Sequence, residues 1–174
     1  ANVKLNDLPQ FNHECIDHVV YLVRHPLGVL PSYAHHMNQS LERTAEIMLN
    51  EKWVISGRTY PELATSWGGH VDSWLHKKYA LIVRYEDMCE NPEKGFTRIL
   101  EYMEIPLENA RLLKAIGNSS FAKMAKEEIN DGFSEAMNNS FFRRGKKELE
   151  TIPKEISELI CSKFQIIMSK LEYL

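Results

Sequence analysis

Two short apolar runs without polar alternation stand out in the first half of the chain. The runs, 18–23 and 79–84, are rich in β-branched and aliphatic residues, a pattern typical of strands buried on both faces of a parallel sheet. Between and after them, apolar residues recur every three or four positions, which predicts helices. The order of strand, helices, strand and helices indicates an α/β domain.

The predicted helices are bounded by proline, glycine and asparagine. They cover about 29–37, 41–55, 66–76, 92–103, 107–116, 119–127 and 153–171. Pro31 is compatible with the first helix only if it lies within the first turn, and Asn91-Pro92 is a typical helix start. Residues 1–17 and 129–145 lack periodicity and are predicted to be loops. Because two strands make a poor sheet by themselves, we expect residues 1–174 to be the later, C-terminal part of a single larger α/β domain.

Composition restricts the function only weakly. The 174 residues carry a net charge of −3, so the chain as a whole has no field that would attract nucleic acid or an anionic membrane. No run approaches the roughly 18 apolar residues of a membrane span. Three widely spaced cysteines argue against a disulfide framework and for a reducing compartment. We therefore expect a cytoplasmic protein without nucleic-acid partners.

The first apolar run leads directly into Arg24, and a helix start near Gly28 and the hydroxyl of Ser32 follow. Ligands of open parallel sheets bind beyond the carboxyl ends of the strands, and helix N-termini favour anions. These groups together would form a phosphate or sulfate site. In the alternative interpretation, Arg24 pairs with a local acid and Ser32 is merely exposed, and this stretch alone does not separate the two.

The second run ends in the same way, at Arg84 and then Tyr85, whose ring could lie against a base or simply pack. Glu86 and Asp87 then follow and would cap the next element. A basic loop near residue 143 could close on a phosphate, although such loops are more often just solvated. The spacing His-x-Cys-x2-His at 13–18 lacks the second half of a zinc site, so we expect no metal.

Five motifs follow one another in a fixed order along residues 18–146. They are R-x-P-x5-S-Y, S-W-x2-H-V-x2-W, Y-E-D-M-x3-P, S-F-x2-M and F-x-R-x-G. Each motif alone is weak evidence for a family, but the five together resemble the sulfotransferase family. They are more similar to the motifs of its cytosolic and bacterial branches than to those of the Golgi enzymes. Members transfer a sulfuryl group from 3′-phosphoadenosine 5′-phosphosulfate (PAPS) to a hydroxyl or amine. The resemblance implies a P-loop-like three-layer α/β fold with a parallel sheet, represented here by its helix-rich C-terminal part with few strands.

The resemblance also implies roles for individual residues of the first and third motifs. Arg24 and Ser32 match the pair that holds the 3′-phosphate, and Tyr85 matches the tyrosine near the adenine. The Trp67 helix is expected to serve mainly in packing. Arg24 would then be held at a strand end because a doubly charged phosphate docks there.

The last two motifs are expected to complete the nucleotide site. Ser119 and Phe121 would border the base, and Arg143, Arg144 and Gly145 would form a loop that closes over the 3′-phosphate. The family's Gly-x-x-Gly-Asp-Trp continuation is here replaced by G-K-K-E-L.

Two features that the resemblance implies have no match in the sequence. No loop rich in Gly, Ser and Thr, which would cradle the 5′-phosphosulfate, precedes the first strand, and no histidine stands in the general-base motif. We expect a truncated chain rather than a degenerate relative. Ser32 is the remaining candidate for a catalytic role, and the catalytic base is otherwise unknown.

Three classes of function remain open at this point. The chain is expected to belong to a PAPS-dependent enzyme, with PAPS as co-substrate and a small-molecule, sugar or lipid acceptor. The alternatives are a non-catalytic relative that binds adenosine 3′-phosphate, and an interaction module with empty anion sites. A homodimer is one of the open oligomeric states.

Overall fold

The computed structural model describes residues 4–5, 8–9, 15–56, 61–132 and 152–174. The strands in these ranges are β1 (Lys4–Leu5), β2 (Leu8–Pro9), β3 (Val19–Val23), β4 (Val54–Ser56), β5 (Pro61–Leu63) and β6 (Ala80–Arg84). The helices are α1 (Pro26–His36), α2 (Leu41–Leu49), α3 (Trp67–Leu75), α4 (Tyr85–Glu90), α5 (Pro92–Tyr102), α6 (Asn109–Asn118), α7 (Phe121–Asp131) and α8 (Lys154–Lys170).

The two apolar runs form a parallel pair, which confirms the predicted α/β class. β3 pairs with β6 in a register that sets Val19 opposite Ala80 and Val23 opposite Arg84. In the described ranges the other strands form separate antiparallel pairs, β1 with β2 and β4 with β5. Because β3 and β6 are parallel and end in register, the residues that follow them emerge at the same edge of the sheet.

One face of the parallel pair packs against α3 and the C-terminal segment. Val23 is buried there with Val71 of α3 and Leu171, and Tyr21 and Ile82 pack against the same cluster. On the opposite face, Leu22 is 55% exposed. Val83 lies on the same face as Leu22 and is buried, so that face is covered in part. The face toward α3 connects the pair to the C-terminal segment.

The largest hydrophobic cluster lies between α1, α2 and α8. Its buried members are Leu30, Ala45, Met48, Ile160, Phe164 and Met168. Fully burying a large aliphatic or aromatic side chain contributes about 1.5–3 kcal/mol, so this cluster fixes α8 firmly against α1. As a result, the residues after α8 reach the ends of the parallel strands.

The first helix begins earlier than the sequence predicts. Pro26 occupies the first position, which suits proline, and the side chain of His25 caps the helix. Pro31 consequently lies inside α1 rather than in its first turn, so that expectation was wrong. The buried Pro31 removes one interior hydrogen bond, and the packing of α1 on α2 and α8 stabilises the helix despite this loss.

The second helix is shorter than predicted, and the last residues of the predicted span belong to a strand. α2 ends at Leu49, Asn50 adopts an extended conformation, and the chain continues into β4, which pairs with β5. The prediction of one helix over 41–55 was wrong because the apolar residues after Asn50 continue the helical stripe by coincidence.

Two further segments differ in part from the predictions. Tyr85–Glu90 form the short helix α4, which is absent from the helices predicted from the sequence. Asn91 caps α5 through a hydrogen bond that its Oδ1 accepts from the Lys94 N–H, as predicted, whereas α7 extends to Asp131, into the segment expected to be a loop. None of the helices in the described ranges has the length and apolar character needed to cross a membrane.

Candidate functional site

Arg24 and Tyr85 meet at the carboxyl edge of the parallel pair. They follow Val23 and Arg84, which lie opposite each other in the register, and the Arg24 guanidinium carbon lies 4.6 Å from the centre of the Tyr85 ring. Such cation–π contacts contribute about 0.5–1 kcal/mol at exposed sites. A ring contact leaves most of the five N–H donors of a guanidinium available to an anion.

No carboxylate in the described part of the chain forms an ion pair with Arg24. Glu86, the nearest acid in sequence to Tyr85, is engaged elsewhere. Its Oε1 accepts a hydrogen bond from the backbone N–H of His25 at 2.9 Å, and its Oε2 accepts one from the Tyr173 hydroxyl at 2.8 Å. Pairing of Arg24 with a local acid, the alternative interpretation from the sequence, is therefore not seen among the described residues.

Arg24 and Ser32 lie along the same face of α1. A Cβ added at Gly28 would meet Arg24 Nε at 3.0 Å, so the arginine side chain passes directly over the first turn of the helix. Gly28 and Ser32 are four positions apart and share a helix face, with about 5.4 Å of rise between successive turns. The exposed Ser32 hydroxyl is thus one turn beyond the guanidinium.

The helix start itself offers fewer anion-binding donors than the sequence suggests. Pro26 has no N–H, the Leu27 N–H donates to His25 Nδ1 at 3.2 Å, and the Gly28 N–H donates to the His25 carbonyl at 2.8 Å. Burial lowers the pKa of His25 despite the nearby Glu86 carboxylate, which favours the neutral ring that can accept from Leu27. An anion at this edge would therefore rely on side chains, and the expectation of open backbone donors was wrong.

The remaining predicted site residues are not joined to Arg24 by any contact described in the structure. Ser119 ends α6, and its hydroxyl donates back to the Ala115 carbonyl at 2.9 Å. Phe121 begins α7 and is about half exposed. Arg143, Arg144 and Gly145 lie outside the described residues, so the predicted closing loop stays a prediction.

Tyr85 has a second neighbour besides Arg24. A hydrogen bond to Cys89, one turn further along α4, together with partial burial raises the pKa of the Tyr85 hydroxyl, although the Arg24 charge acts in the opposite direction. The phenol therefore remains neutral in the physiological range. Its ring can serve as an uncharged face for a base, the role that the family resemblance implies.

Arg84 makes structural contacts with the C-terminal segment that were not predicted from the sequence. Its Nη1 donates to the carbonyls of Leu171 at 3.2 Å and Glu172 at 3.1 Å, and its guanidinium carbon lies 4.8 Å from the centre of the Tyr173 ring. Asp87 forms an ion pair with it at 3.4 Å. Neither Glu86 nor Asp87 caps α4, so that expectation was wrong, and Arg84 instead holds the C-terminal segment against the strand end.

The Trp67 helix, α3, packs as expected and makes a partly buried polar contact with β3. Tyr21 Oη and His70 Nδ1 are 2.7 Å apart, and the Tyr21 ring also stacks on Trp74. Burial lowers the pKa of His70 to about 4 and raises the pKa of Tyr21. Both groups are therefore neutral near pH 7, and the pair stabilises the packing of α3 on β3.

Solved structures with a similar fold are known. Mouse sulfotransferase SULT7A1, crystallised with PAP, is similar with a TM-score of 0.71 and 19% identity, over 94% of this chain and 62% of that chain. Retinol dehydratase in complex with androsterone and the inactive cofactor PAP is similar with a TM-score of 0.65, over 87% of this chain and 47% of that chain. The predicted P-loop-like sulfotransferase fold is confirmed by these likenesses.

Sequence comparisons agree with the fold. Sulfotransferase 6B1 of Danio rerio is 26% identical over 136 residues, which are 73% of this chain and 43% of that protein. Sulfotransferase 1B1 of Canis lupus familiaris is 33% identical over 110 residues, 61% of this chain and 36% of that protein. The chain thus spans about two fifths of the curated relatives it matches. The family model of the sulfotransferase domain matches residues 10–170, and the chain belongs to the sulfotransferase family.

Proposed function

We propose that the protein transfers a sulfuryl group from PAPS to a hydroxyl or amine acceptor, and that this chain supplies the part that recognises the adenosine 3′-phosphate. The observation that carries the proposal is the position of Arg24, with no described acid paired to it, over Tyr85 at the edge where β3 and β6 end together. A guanidinium binds phosphate through charge-assisted hydrogen bonds, and an aromatic face beside it suits an adenine.

Ser32 and the other matched residues complete the proposed pocket. The Ser32 hydroxyl, one helical turn beyond Arg24 on the same face of α1, would donate to a second phosphate oxygen. Ser119 and Phe121 would border the base, and Arg143, Arg144 and Gly145 would close over the phosphate. These assignments follow the family resemblance position by position.

The proposed reaction is an in-line sulfuryl transfer. The acceptor oxygen or nitrogen forms a bond to sulfur while the bond between sulfur and the 5′-phosphate oxygen breaks. The acceptor proton passes to a base, and adenosine 3′,5′-bisphosphate (PAP) leaves. The residues assigned here bind and orient the nucleotide, so their contribution is positioning rather than proton transfer.

A binding experiment and a transfer experiment together test the proposal. The melting temperature of the chain would be measured with PAP and with adenosine 5′-monophosphate, which lacks the 3′-phosphate. PAP at 100 times its dissociation constant should stabilise the fold by about 2.7 kcal/mol, and adenosine 5′-monophosphate should stabilise it much less.

Because the chain spans about two fifths of its curated relatives, transfer of a radiolabelled sulfuryl group from PAPS would then be assayed with the full-length protein, using phenols, amines, sugars and lipids as acceptors. Transfer to one class would support the enzyme and identify its acceptor. Stabilisation by PAP without transfer would favour the non-catalytic relative. Equal responses to both nucleotides, or none, would contradict the proposed 3′-phosphate site.

A further inference from the structure

Tyr173, in the short segment after α8, lies next to the turn that carries Arg24. Its ring packs edge-on against the His25 ring at 5.0 Å between centres, and its hydroxyl donates to Glu86 Oε2 at 2.8 Å. Burial, with the Glu86 carboxylate as a further cause, raises the pKa of this phenol. The hydroxyl is therefore a permanent donor at physiological pH.

Glu86 transmits this contact to the backbone beside Arg24. While Oε2 accepts from Tyr173, Oε1 accepts from the His25 N–H at 2.9 Å, and His25 in turn caps α1 through Nδ1. A carboxylate that accepts from two fixed donors has little freedom to rotate. The peptide between Arg24 and His25 is thus held at a fixed distance from the first turn of α4, which carries Tyr85.

We propose that Tyr173 is a positioning residue for the 3′-phosphate site, acting through Glu86 on the backbone of Arg24. This inference rests on the proposed function, since it presupposes that Arg24 binds the 3′-phosphate. Tyr173 does not touch the nucleotide in this account. Its hydroxyl fixes the position of the Arg24 backbone through Glu86. That position determines how well the Arg24 guanidinium can form hydrogen bonds to a phosphate.

The test removes the hydroxyl and asks whether the preference for a 3′-phosphate falls. Tyr173→Phe keeps the ring contacts with His25 and Arg84. It loses the donation to Glu86 at 2.8 Å and the longer one to the Val23 carbonyl at 3.4 Å, and a Glu86→Ala background separates these two routes. The matched control is Tyr102→Phe. It removes a buried hydroxyl that has no hydrogen-bond partner among the residues that the structure describes, from a tyrosine that packs on His18 at the opposite end of β3. Calorimetry would measure the dissociation constants of PAP and of adenosine 5′-monophosphate for each protein.

We expect Tyr173→Phe to bind PAP about 3- to 10-fold more weakly. This loss corresponds to part of the free energy of a hydrogen bond to a charged group. Its affinity for adenosine 5′-monophosphate should be unchanged, and Tyr102→Phe should match the wild type with both ligands. An unchanged PAP affinity for Tyr173→Phe would overturn the inference. Equal losses for both nucleotides would also overturn it, because they would indicate a general structural role.

A second variant tests the route through Glu86. In a Glu86→Ala background, Tyr173→Phe should cause no further loss of PAP affinity, whereas independent losses would contradict the route. If Glu86→Ala does not fold, the comparison of Tyr173→Phe with Tyr102→Phe still decides. A wild-type chain without preference for PAP would refute the proposed function itself, which separates that failure from the failure of this inference.

Discussion

Arg24 and Tyr85 lie 4.6 Å apart, from guanidinium carbon to ring centre, although they are 61 positions apart in the sequence. The parallel register that sets Val23 opposite Arg84 brings them together. Each residue alone is an ordinary polar position after a strand. Their contact gives the edge of the sheet both a cation and an aromatic face.

Substitution at Tyr85 tests the value of that aromatic face. Tyr85→Ala should weaken PAP binding about 2- to 5-fold, since a cation–π contact contributes about 0.5–1 kcal/mol. Tyr85→Phe keeps the ring and should bind PAP like the wild type. Calorimetric titration of both variants measures the difference, and an equal loss in both would point to the hydroxyl rather than the ring.

Arg84 should matter for stability because it donates to the carbonyls of Leu171 and Glu172. Arg84→Ala leaves both without this donor and should lower the free energy of unfolding by about 1.5–3 kcal/mol. The control is Glu172→Gln, which alters a side chain that is 90% exposed and should change stability by less than about 0.5 kcal/mol. Urea unfolding monitored by circular dichroism compares them, and similar values for the two variants would contradict the assigned role of Arg84.

Two glycines form a matched pair for testing the packing of α3 on α8. A Cβ at Gly68 would lie 2.7 Å from the Phe164 ring, whereas one at Gly117 of α6 would meet nothing within 4 Å. Gly68→Ala should therefore destabilise the fold by about 1–3 kcal/mol. Gly117→Ala should stabilise it by up to about 1 kcal/mol through helix propensity. Thermal unfolding should shift in opposite directions, and a Gly68→Ala variant as stable as the wild type would disprove the close approach.

The buried His70 predicts a specific pH dependence. Burial lowers its folded-state pKa to about 4, below the value of about 6.5 for an unfolded chain. Between these values the unfolded state binds the proton and the folded state does not, so stability falls as the pH falls. When the pH falls from 7.5 to 5.5, protonation of His70 in the unfolded chain should lower the free energy of unfolding by about 1 kcal/mol.

The variant His70→Gln lacks the titrating ring and isolates this contribution. Over the same pH interval it should lose about 1 kcal/mol less stability than the wild type. Urea unfolding at both pH values measures the two losses. Equal losses would mean that the His70 pKa is not lowered in the folded state.

The local features of the fold were readable from the sequence. β-branched runs predict β3 and β6, and Asn91-Pro92 predicts the start of α5, because these depend on neighbouring residues. Residues after Asn50 were misjudged because apolar spacing suits a helix and a hairpin equally over a short stretch. The edge position of Arg24 followed from the strand before it, and the resemblance implied its role.

The contacts that hold the site together could not be read in this way. Glu86 joins the His25 backbone to Tyr173 across sequence separations of 61 and 87 residues. In the sequence, Glu86 simply follows a strand, where an acid usually caps the next helix. Only the three-dimensional arrangement shows that its two oxygens are used by residues from opposite ends of the chain.

The central claim is that Arg24 recognises the 3′-phosphate, and calorimetric titration of PAP into Arg24→Ala and Arg43→Ala tests it most directly. Arg43 is an exposed arginine of α2 paired with Glu46, so it controls for the loss of one positive charge. Arg24→Ala should weaken PAP binding about 10- to 100-fold, as expected for hydrogen bonds to a charged group. Arg43→Ala should bind like the wild type. An Arg24→Ala variant that binds PAP as tightly as Arg43→Ala would contradict the account.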